Sequence, residues 1–496
     1  MIENSLAISA TFIAYLVMML SIGLVAYRKT HNSSDYFLGG RTLGPWPAAL
    51  SAGASDMSGW LLLGLPGYAY AAGYEASWLA GGLLAGTWLN WLINAKRLRT
   101  YSIVADDAIT LPEFLSRRFN DRGKLIQVIS ALFILLFFLF YTSSGLVAGG
   151  KLFETVFGLD YKIAVIVGTV CVVSYTLFGG FLAVAWTDLV QGLLMAAALM
   201  IVPLVTMDGS FSQLESDLSA MNPELLTVFR DVKGQPLSWI AIVSLVAWGL
   251  GYFGQPHILA RFKASRTNRE LTTARRIAVI WTGLSMFGAM LVGVVGLLYV
   301  TEQGIALDDG ERIFMILVNA LFHPVIAGIL LAAILAAIMS TADSQLLVSS
   351  SALAEDLYKP LLRPNASTSE IVVVGRLGVV GVSLIALLLA FDPDSSVLGL
   401  VSYAWAGFGA AFGPVIILSL YWRGMSKLGA AAAIIVGGVT VVWWKQQSGG
   451  LFDLYEIVPG FILATLTAVI LSLMVRPDEE TTYLFDKFET KLETLE

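Results

Sequence analysis

Apolar runs of about 20 residues alternate with short polar segments along the whole chain. An α-helix needs a run of about 20 residues to cross the hydrocarbon core of a membrane. The pattern therefore predicts an all-α polytopic membrane protein with about thirteen transmembrane helices. The predicted spans, given to within a few residues, are 5–27, 45–72, 76–95, 125–149, 162–182, 188–207, 237–258, 275–301, 313–347, 370–391, 397–421, 428–446 and 455–475.

The amino-acid composition agrees with this prediction. The 496 residues are 57% hydrophobic and only 13% charged, whereas soluble domains are about 25% charged. Residues 1–475 are then a single transmembrane domain, and residues 476–496 are a short tail. The N-terminus has no basic segment and no small-residue cleavage site, which indicates an uncleaved first span. The single cysteine, Cys171, excludes an internal disulfide.

The basic residues are shared unevenly among the loops. Most of the 30 lysines and arginines lie in alternate loops, including the segments YRKTHNSSDYFLGGR, KRLRTYS and RFKASRTNRELTTARR, and in the tail. By the positive-inside rule the N-terminus is outside and the C-terminus is cytoplasmic. The sequons at Asn32 and Asn365 then lie on the cytoplasmic side and carry no glycan. The long segment 208–236 on the opposite side is acidic and polar, and no core of its own is expected.

Asp56 places a charge inside the apolar second span. Such a charge costs about 2.5–3.5 kcal/mol on insertion scales, so its side chain faces a cavity or a partner. Gly53, Gly59, Gly64 and Pro66 weaken the same helix. An unwound turn frees carbonyl oxygens, and these together with a carboxylate suit a small hard cation such as Na⁺. The plainer alternative is that Asp56 hydrogen-bonds a neighbouring helix and only fixes packing.

The ninth span contains a second polar patch, AAILAAIMSTADSQLLVSSS. Ala337, Ser340 and Thr341 are three and four residues apart, so they share one helical face. Serines in membrane helices often bond the carbonyl one turn back, which is the structural alternative. Asp343 and Ser344 follow at once, and this density of polar groups favours a functional site.

The seventh span, SLVAWGLGYFGQPH, is interrupted by glycines like the second. Broken helices at corresponding positions of two halves are typical of a transporter binding site. The two spans are five apart, as expected for two inverted five-helix repeats at about 45–207 and 237–421, with spans 1, 12 and 13 peripheral. Trp248 and Tyr252 share a helical face beside the break. Their spacing fits two interpretations equally well, packing against neighbouring helices or contact with a ligand. GLGYFG matches the G-x-G-x-x-G pattern of dinucleotide-binding loops, but no strand precedes it. Its glycines therefore predict close packing of helices or a break in the helix.

Other function classes find no support in the sequence. His31, His257 and His323 are scattered, and no nucleophile elbow or metal-binding motif is present, so an enzyme is not predicted. A channel would be expected to carry a repeated filter motif or rings of charge. The short tail cannot hold a signalling domain, and nothing predicts a nucleic-acid partner or an organic cofactor. The expected partners are a small solute, an ion and the lipid bilayer.

Three segments together resemble the sodium/solute symporter family: SAGASDMSGWLLLGLPGYAYAAG, SYTLFGGFLAVAWTDLVQG and LAAIMSTADSQLL. The resemblance covers nearly the whole chain, and ASDMSGW is similar to the proline-transporting branch. It implies a LeuT-type core of inverted repeats, spans 2–6 and 7–11, in a bacterial-type inner membrane. It also implies sodium-coupled import of L-proline by alternating access. Another solute of the same family, pantothenate or a monocarboxylate, is the alternative, and the sequence does not give the oligomeric state.

The resemblance also implies which residues bind each ligand. The sodium ligands would be carbonyls of Ala54, Met57 and Ala337 and hydroxyls of Ser340 and Thr341, with Asp56 required either as a direct ligand or through the neighbouring carbonyls. For proline it implies the residues Ser58, Gly59, Trp60, Tyr141, Trp248, Tyr252 and Pro256. Arg41, at the edge of span 2, and Asp188, expected at the start of span 6, are further functional positions. Arg41 also fits a positive-inside anchor, and Asp188 also fits a helix-start carboxylate.

Overall fold

The computed structural model describes residues 5–28, 33–177, 180–207 and 209–495. These residues are almost entirely helical, and the only β-pairing among them is two isolated bridges. The α-helices are α1 Ser5–Tyr27, α2 Ser33–Leu38, α3 Pro45–Gly59, α4 Leu65–Ala72, α5 Ser77–Ile93, α6 Ala95–Val104, α7 Leu111–Arg118, α8 Leu125–Phe157, α9 Tyr161–Thr176, α10 Phe181–Thr206, α11 Phe211–Met221, α12 Trp239–Val246, α13 Pro256–Ala264, α14 Asn268–Glu302, α15 Ile313–Leu321, α16 Pro324–Ser351, α17 Lys359–Leu361, α18 Thr368–Leu389, α19 Val397–Tyr421, α20 Lys427–Trp444, α21 Ile457–Met474 and α22 Glu479–Leu495.

Every predicted span coincides with helical structure. Nine helices among the described residues are long and apolar enough to cross a membrane. The remaining four predicted spans correspond to α5, to α9 and to two broken helices. One broken helix joins α3 to α4 through a π-helical segment, Trp60–Gly64, and the other joins α12 to α13 through a 3-10 segment, Ala247–Gly254. Both breaks lie where glycines interrupt the apolar pattern.

Several predicted boundaries were wrong. The helix of the fourth span continues to Phe157 rather than 149, and that of the eighth begins at Asn268 rather than 275. The sixth span begins at Phe181 rather than at residue 188, so Asp188 lies two turns inside α10 and is not a helix-start carboxylate. The ninth span is divided at Phe322 and His323, where Pro324 starts α16. The seventh span continues to Ala264, and Arg261 and Lys263, which the charge pattern assigned to a loop, are buried in it.

The long segment between α10 and α12 is more ordered than its polarity predicts. It forms α11 and a 3-10 turn, Pro223–Leu226. Leu214, Leu218 and Leu225 are buried against three residues of α14, Leu291, Val294 and Val295. The segment therefore has no core of its own, as predicted, but shares one with a transmembrane helix. The end of the molecule that carries this segment is called the loop end.

The C-terminal helix α22 packs on the opposite end of the molecule, called the tail end. Phe485, Phe488 and Leu492 are buried, and the Phe488 ring stacks on Tyr101 of α6 with centroids 4.1 Å apart. Ion pairs join α22 to the loops and short helices around it: Arg97 with Glu489, Arg122 with Glu480 and Arg423 with Asp486. The sequon at Asn32 lies outside the described residues, as do Phe178 and Gly179 of the YTLFGGFLAV motif.

Candidate functional site

The site is organised by the break at the end of α3. Ser58 has φ 38° and ψ −166°, which lies outside the helical region, and the chain continues as the π-helical segment. A non-glycine residue at positive φ costs about 1–3 kcal/mol and persists only where the surroundings fix it. The next residue is glycine because the helices are close: a Cβ on Gly59 would lie 2.7 Å from the Ala148 Cβ. Close packing against α8 thus requires a glycine directly after the non-helical residue.

The candidate sodium ligands converge on one side of this break. The Ser340 hydroxyl donates to the Ala54 carbonyl at 2.8 Å, and the Thr341 hydroxyl donates to the same oxygen at 3.2 Å. Ser340 Oγ also lies 3.1 Å from the Ala337 carbonyl oxygen. The structure therefore brings together four of the six candidate sodium residues. The Met57 carbonyl accepts from the Trp60 amide at the break.

Asp56 faces the aromatic side of the site. Its Oδ2 accepts a hydrogen bond of 2.6 Å from the Tyr252 hydroxyl, and its carbonyl accepts one of 2.7 Å from the Tyr141 hydroxyl. Asp56 is 1% exposed, and Oδ1 has no hydrogen-bond partner in the described part of the chain. Because Asp56 follows Ala54 by two residues, it links the group of oxygens to the tyrosines.

The seven candidate proline residues are all buried, and four of them are aromatic. Tyr141, Tyr252 and Trp60 are each 1% exposed, and the Trp60 indole N–H has no partner in the described part of the chain. Ser58 Oγ accepts from the Trp60 amide at 3.3 Å. Pro256 begins α13, where its missing N–H is not needed.

Trp248 is held differently from the other aromatic residues. Its ring stacks on Tyr455 of the segment before α21, with centroids 5.4 Å apart, and its carbonyl accepts from the Trp405 indole at 2.6 Å. These two contacts support the interpretation that Trp248 is a packing residue. The ligand interpretation stays a prediction.

Asp188 and Arg41 lie outside this group of residues. Asp188 is fully buried, accepts from Ser51 at 2.6 Å and forms an ion pair of 3.3 Å with Arg261. Arg41 lies toward the tail end, where it pairs with Asp107 at 2.6 Å and donates to the carbonyl of Lys263 at 2.7 Å. Both are positioned to couple helices, and neither contacts the candidate ligand residues described above.

Two residues of this region were missed by sequence reasoning. Trp405 of α19 packs edge-on against Tyr252 at 4.9 Å, and a Cβ on Gly251 would collide with its indole ring. The glycine-rich run SYAWAGFGAAFG around Trp405 was an available signal. Arg261 was missed because it belongs to the same basic run as Arg266 and Arg269, which are exposed. It joins Ser51, Asp188 and Ser344 in one buried network.

Comparison with known proteins assigns the chain to a family. A model of the sodium:solute symporter family matches residues 36–437. The chain belongs to the sodium:solute symporter family. It is therefore a membrane transporter and not an enzyme. Among similar proteins, the high-affinity proline transporter PutP of Bacillus subtilis is 50% identical over 95% of this chain and 99% of its own length.

Two other relatives have similar names and similar coverage. The osmoregulated proline transporter OpuE of Bacillus subtilis is 49% identical over 96% of this symporter and 97% of its own length. The sodium/proline symporter of Escherichia coli is 49% identical over 94% of this chain and 92% of its own length. These names describe what the relatives transport.

A solved structure shows that the fold is shared more widely. The substrate-bound, outward-open state of a Na⁺-coupled sialic acid symporter superposes with a TM-score of 0.79 at 19% sequence identity, covering 96% of this chain and 99% of the other. At this identity the likeness concerns the fold alone. It confirms the predicted all-α, LeuT-type architecture. The residue limits of the two inverted repeats stay a prediction.

Proposed function

We propose that this symporter couples the entry of Na⁺ to the import of L-proline by alternating access. The observation that carries the proposal is the arrangement at the broken α3. On one side, hydroxyls of α16 donate to the Ala54 carbonyl in the last turns of α3; on the other, the hydroxyls of Tyr141 and Tyr252 donate to Asp56. The names of the relatives, at about half identity over nearly the whole chain, support the same pair of ligands.

Na⁺ would bind among the oxygens around Ala54. Hard cations prefer oxygen ligands, and the carbonyls of Ala54, Met57 and Ala337 with the hydroxyls of Ser340 and Thr341 are the proposed set. On binding, each hydroxyl would turn a lone pair toward the ion. Asp56 would compensate the ionic charge from two residues away: its Oδ2 accepts from Tyr252, and its Oδ1 has no partner in the described part of the chain.

L-proline would bind on the aromatic side of the same break. A zwitterion needs donors for its carboxylate, and the backbone at Ser58 and Gly59 with the Trp60 indole N–H could supply them. The pyrrolidine ring needs an apolar wall, for which Tyr141, Tyr252 and Pro256 are proposed. Trp248 would act at the edge of this wall through its contact with Trp405.

The orientation in the membrane follows from the charge pattern. The tail end carries most of the loop arginines and lysines, so we assign it to the cytoplasm and the loop end to the outside. A cavity of about 870 Å³ opens at the loop end and reaches Gly64, one turn beyond Trp60. In this orientation the cavity faces the outside, and the candidate site residues below it are buried. The inverted repeats at about 45–207 and 237–421 would supply the two halves that move.

A purified symporter in proteoliposomes would test the proposal. An inward Na⁺ gradient should drive uptake of radiolabelled L-proline, and K⁺ in place of Na⁺ should abolish it. Excess unlabelled pantothenate or lactate should leave the rate unchanged, because the enclosed site suits a compact zwitterion. Strong competition by either compound would support the alternative solute within the family. Equal proline uptake without Na⁺ would contradict the proposed coupling.

A further inference from the structure

A small buried cavity lies between the candidate site and the tail end. Its volume is about 20 Å³, room for roughly one water molecule. It is lined by Pro256, Ala260 and Lys263 of α13, and by Val348, Ser351 and Asp356 of the helix that begins at Pro324. Pro256 is also one of the proposed proline contacts, so the cavity starts where that site ends.

Two opposite charges lie in the wall of this cavity. Lys263 is 1% exposed and Asp356 is fully buried. The Lys263 ammonium donates to the carbonyl of Ile109. Asp356 Oδ1 accepts from Thr110 and Gln127 at 2.8 Å each, whereas Oδ2 has no partner in the described part of the chain. Neither group forms an ion pair within that part.

Leaving such charges unpaired is costly. A buried charge normally has a partner of opposite sign, because burial without one loses most of its solvation. Here an acceptor and a donor of opposite charge line one space but do not bond each other. A molecule that carries both a carboxylate and an ammonium group would satisfy both at once.

The wall of the cavity continues the helical faces that build the candidate site. On α13, residues 256, 260 and 263 follow the spacing of one helical face, as do residues 341, 344, 348 and 351 on α16. Asp356 belongs to a π-helical segment, Ala352–Tyr358, and such segments are rare and are frequently found at functional sites. The two helices that bind solute and cation thus lead to the cavity.

We propose that Lys263 and Asp356 form a release subsite for a zwitterionic amino acid on its way from the broken α3 to the tail end. Lys263 binds the carboxylate and Asp356 binds the ammonium group. Ala260, Val348 and Ala352 provide an apolar wall for the ring. The subsite is closed in this conformation and enlarges when α13 and α16 separate. This proposal rests on the proposed transport of L-proline and adds a second station to it.

The accessibility of a cysteine placed in the cavity reports directly whether solute occupies the release subsite. Ser351→Cys is made in a Cys171→Ser background, and inside-out vesicles are treated with a membrane-impermeant thiol reagent. We expect L-proline to slow the modification, and the half-protecting concentration to rise about tenfold with Lys263→Met or Asp356→Asn, since each removes a charge-assisted hydrogen bond.

Matched variants separate this subsite from a structural role. Lys359→Met removes a lysine paired with Glu355 and should leave protection unchanged, and an exposed Ser369→Cys should react without protection. If Lys263→Met fails to insert, Lys263→Arg, which keeps the charge, should retain protection near the wild-type concentration. Protection unaffected by either neutralising variant, or a Ser351→Cys thiol that never reacts, overturns the subsite. Loss of proline uptake by the unmodified protein would instead overturn the proposed function.

Discussion

At the scale of single residues, the structure separates two groups that the sequence placed together. Ser340 and Thr341 point at the Ala54 carbonyl, whereas Asp56 binds Tyr252 and Tyr141. The sequence predicted both groups, because a charge and a run of hydroxyls are conspicuous in apolar helices. It could not predict which neighbour each one chooses, since that depends on contacts between residues far apart in the chain.

Removing the hydroxyls should affect the sodium requirement first. Ser340→Ala and Thr341→Ala each delete an oxygen beside Ala54, so the Na⁺ concentration for half-maximal uptake should rise about tenfold or more. Ser350→Ala is the matched control, because its hydroxyl donates to the Leu347 carbonyl in its own helix. The measurement is initial proline uptake against Na⁺ concentration. A change confined to the proline requirement at saturating Na⁺ would contradict the assignment of these hydroxyls.

Substitutions of Asp56 distinguish a requirement for its negative charge from a role in packing. Asp56→Asn keeps the shape and can still accept from Tyr252, so packing alone would leave transport nearly normal. If the carboxylate compensates a bound cation, the variant should insert normally but lose almost all Na⁺-driven uptake. Asp56→Glu keeps the charge and should retain weak transport with a raised Na⁺ requirement. Uptake is normalised to protein in the membrane, and a near-normal asparagine variant would favour packing.

At the scale of helices, the glycines explain where the helices break better than the charged residues do. The glycines of GLGYFG let the 3-10 segment approach both α5 and Trp405, as a Cβ on Gly249 or Gly251 would collide with them. The pattern predicted close packing there. It did not predict Trp405 as the partner, because no local rule links residue 251 to residue 405. The misplaced start of α10 has a similar origin, since the apolar run continues through Gly180, the extended residue that precedes this helix.

Gly251→Ala should therefore disturb the site without changing any polar group. The new methyl group would displace the Trp405 indole from Tyr252, so we expect a lower thermal unfolding temperature and weaker proline uptake. Overpacking of this kind costs about 1–3 kcal/mol. Gly381→Ala is the control, because its Cβ would meet nothing within 4 Å, and alanine favours the helix. Equal unfolding temperatures for the two variants would show that the close approach does not matter.

At the scale of the whole molecule, the two ends differ in accessibility. The cavity at the loop end measures about 870 Å³ and reaches Gly64. At the tail end, a space of about 310 Å³ lies beside Arg117 and Leu484, away from the broken α3, and the space beside Pro256 measures about 20 Å³. Hydropathy alone predicted the membrane fold and the approximate spans, because the requirement for internal backbone hydrogen bonds leaves little choice in lipid. It could not predict the size and position of these cavities, since they depend on contacts between helices that are far apart in the chain.

The central claim is that Na⁺ entry drives proline import, and steady-state accumulation tests it most directly. One Na⁺ crossing about 100 mV gains about 2.3 kcal/mol, and a tenfold Na⁺ gradient adds about 1.4 kcal/mol. With one-to-one coupling, proteoliposomes held under both gradients should concentrate proline several hundred-fold, on the order of the factor that these energies allow. Collapsing the voltage should reduce that ratio to about tenfold. An accumulation ratio near one under both gradients, or a high ratio that persists when K⁺ replaces Na⁺ on both sides, would contradict sodium-coupled import.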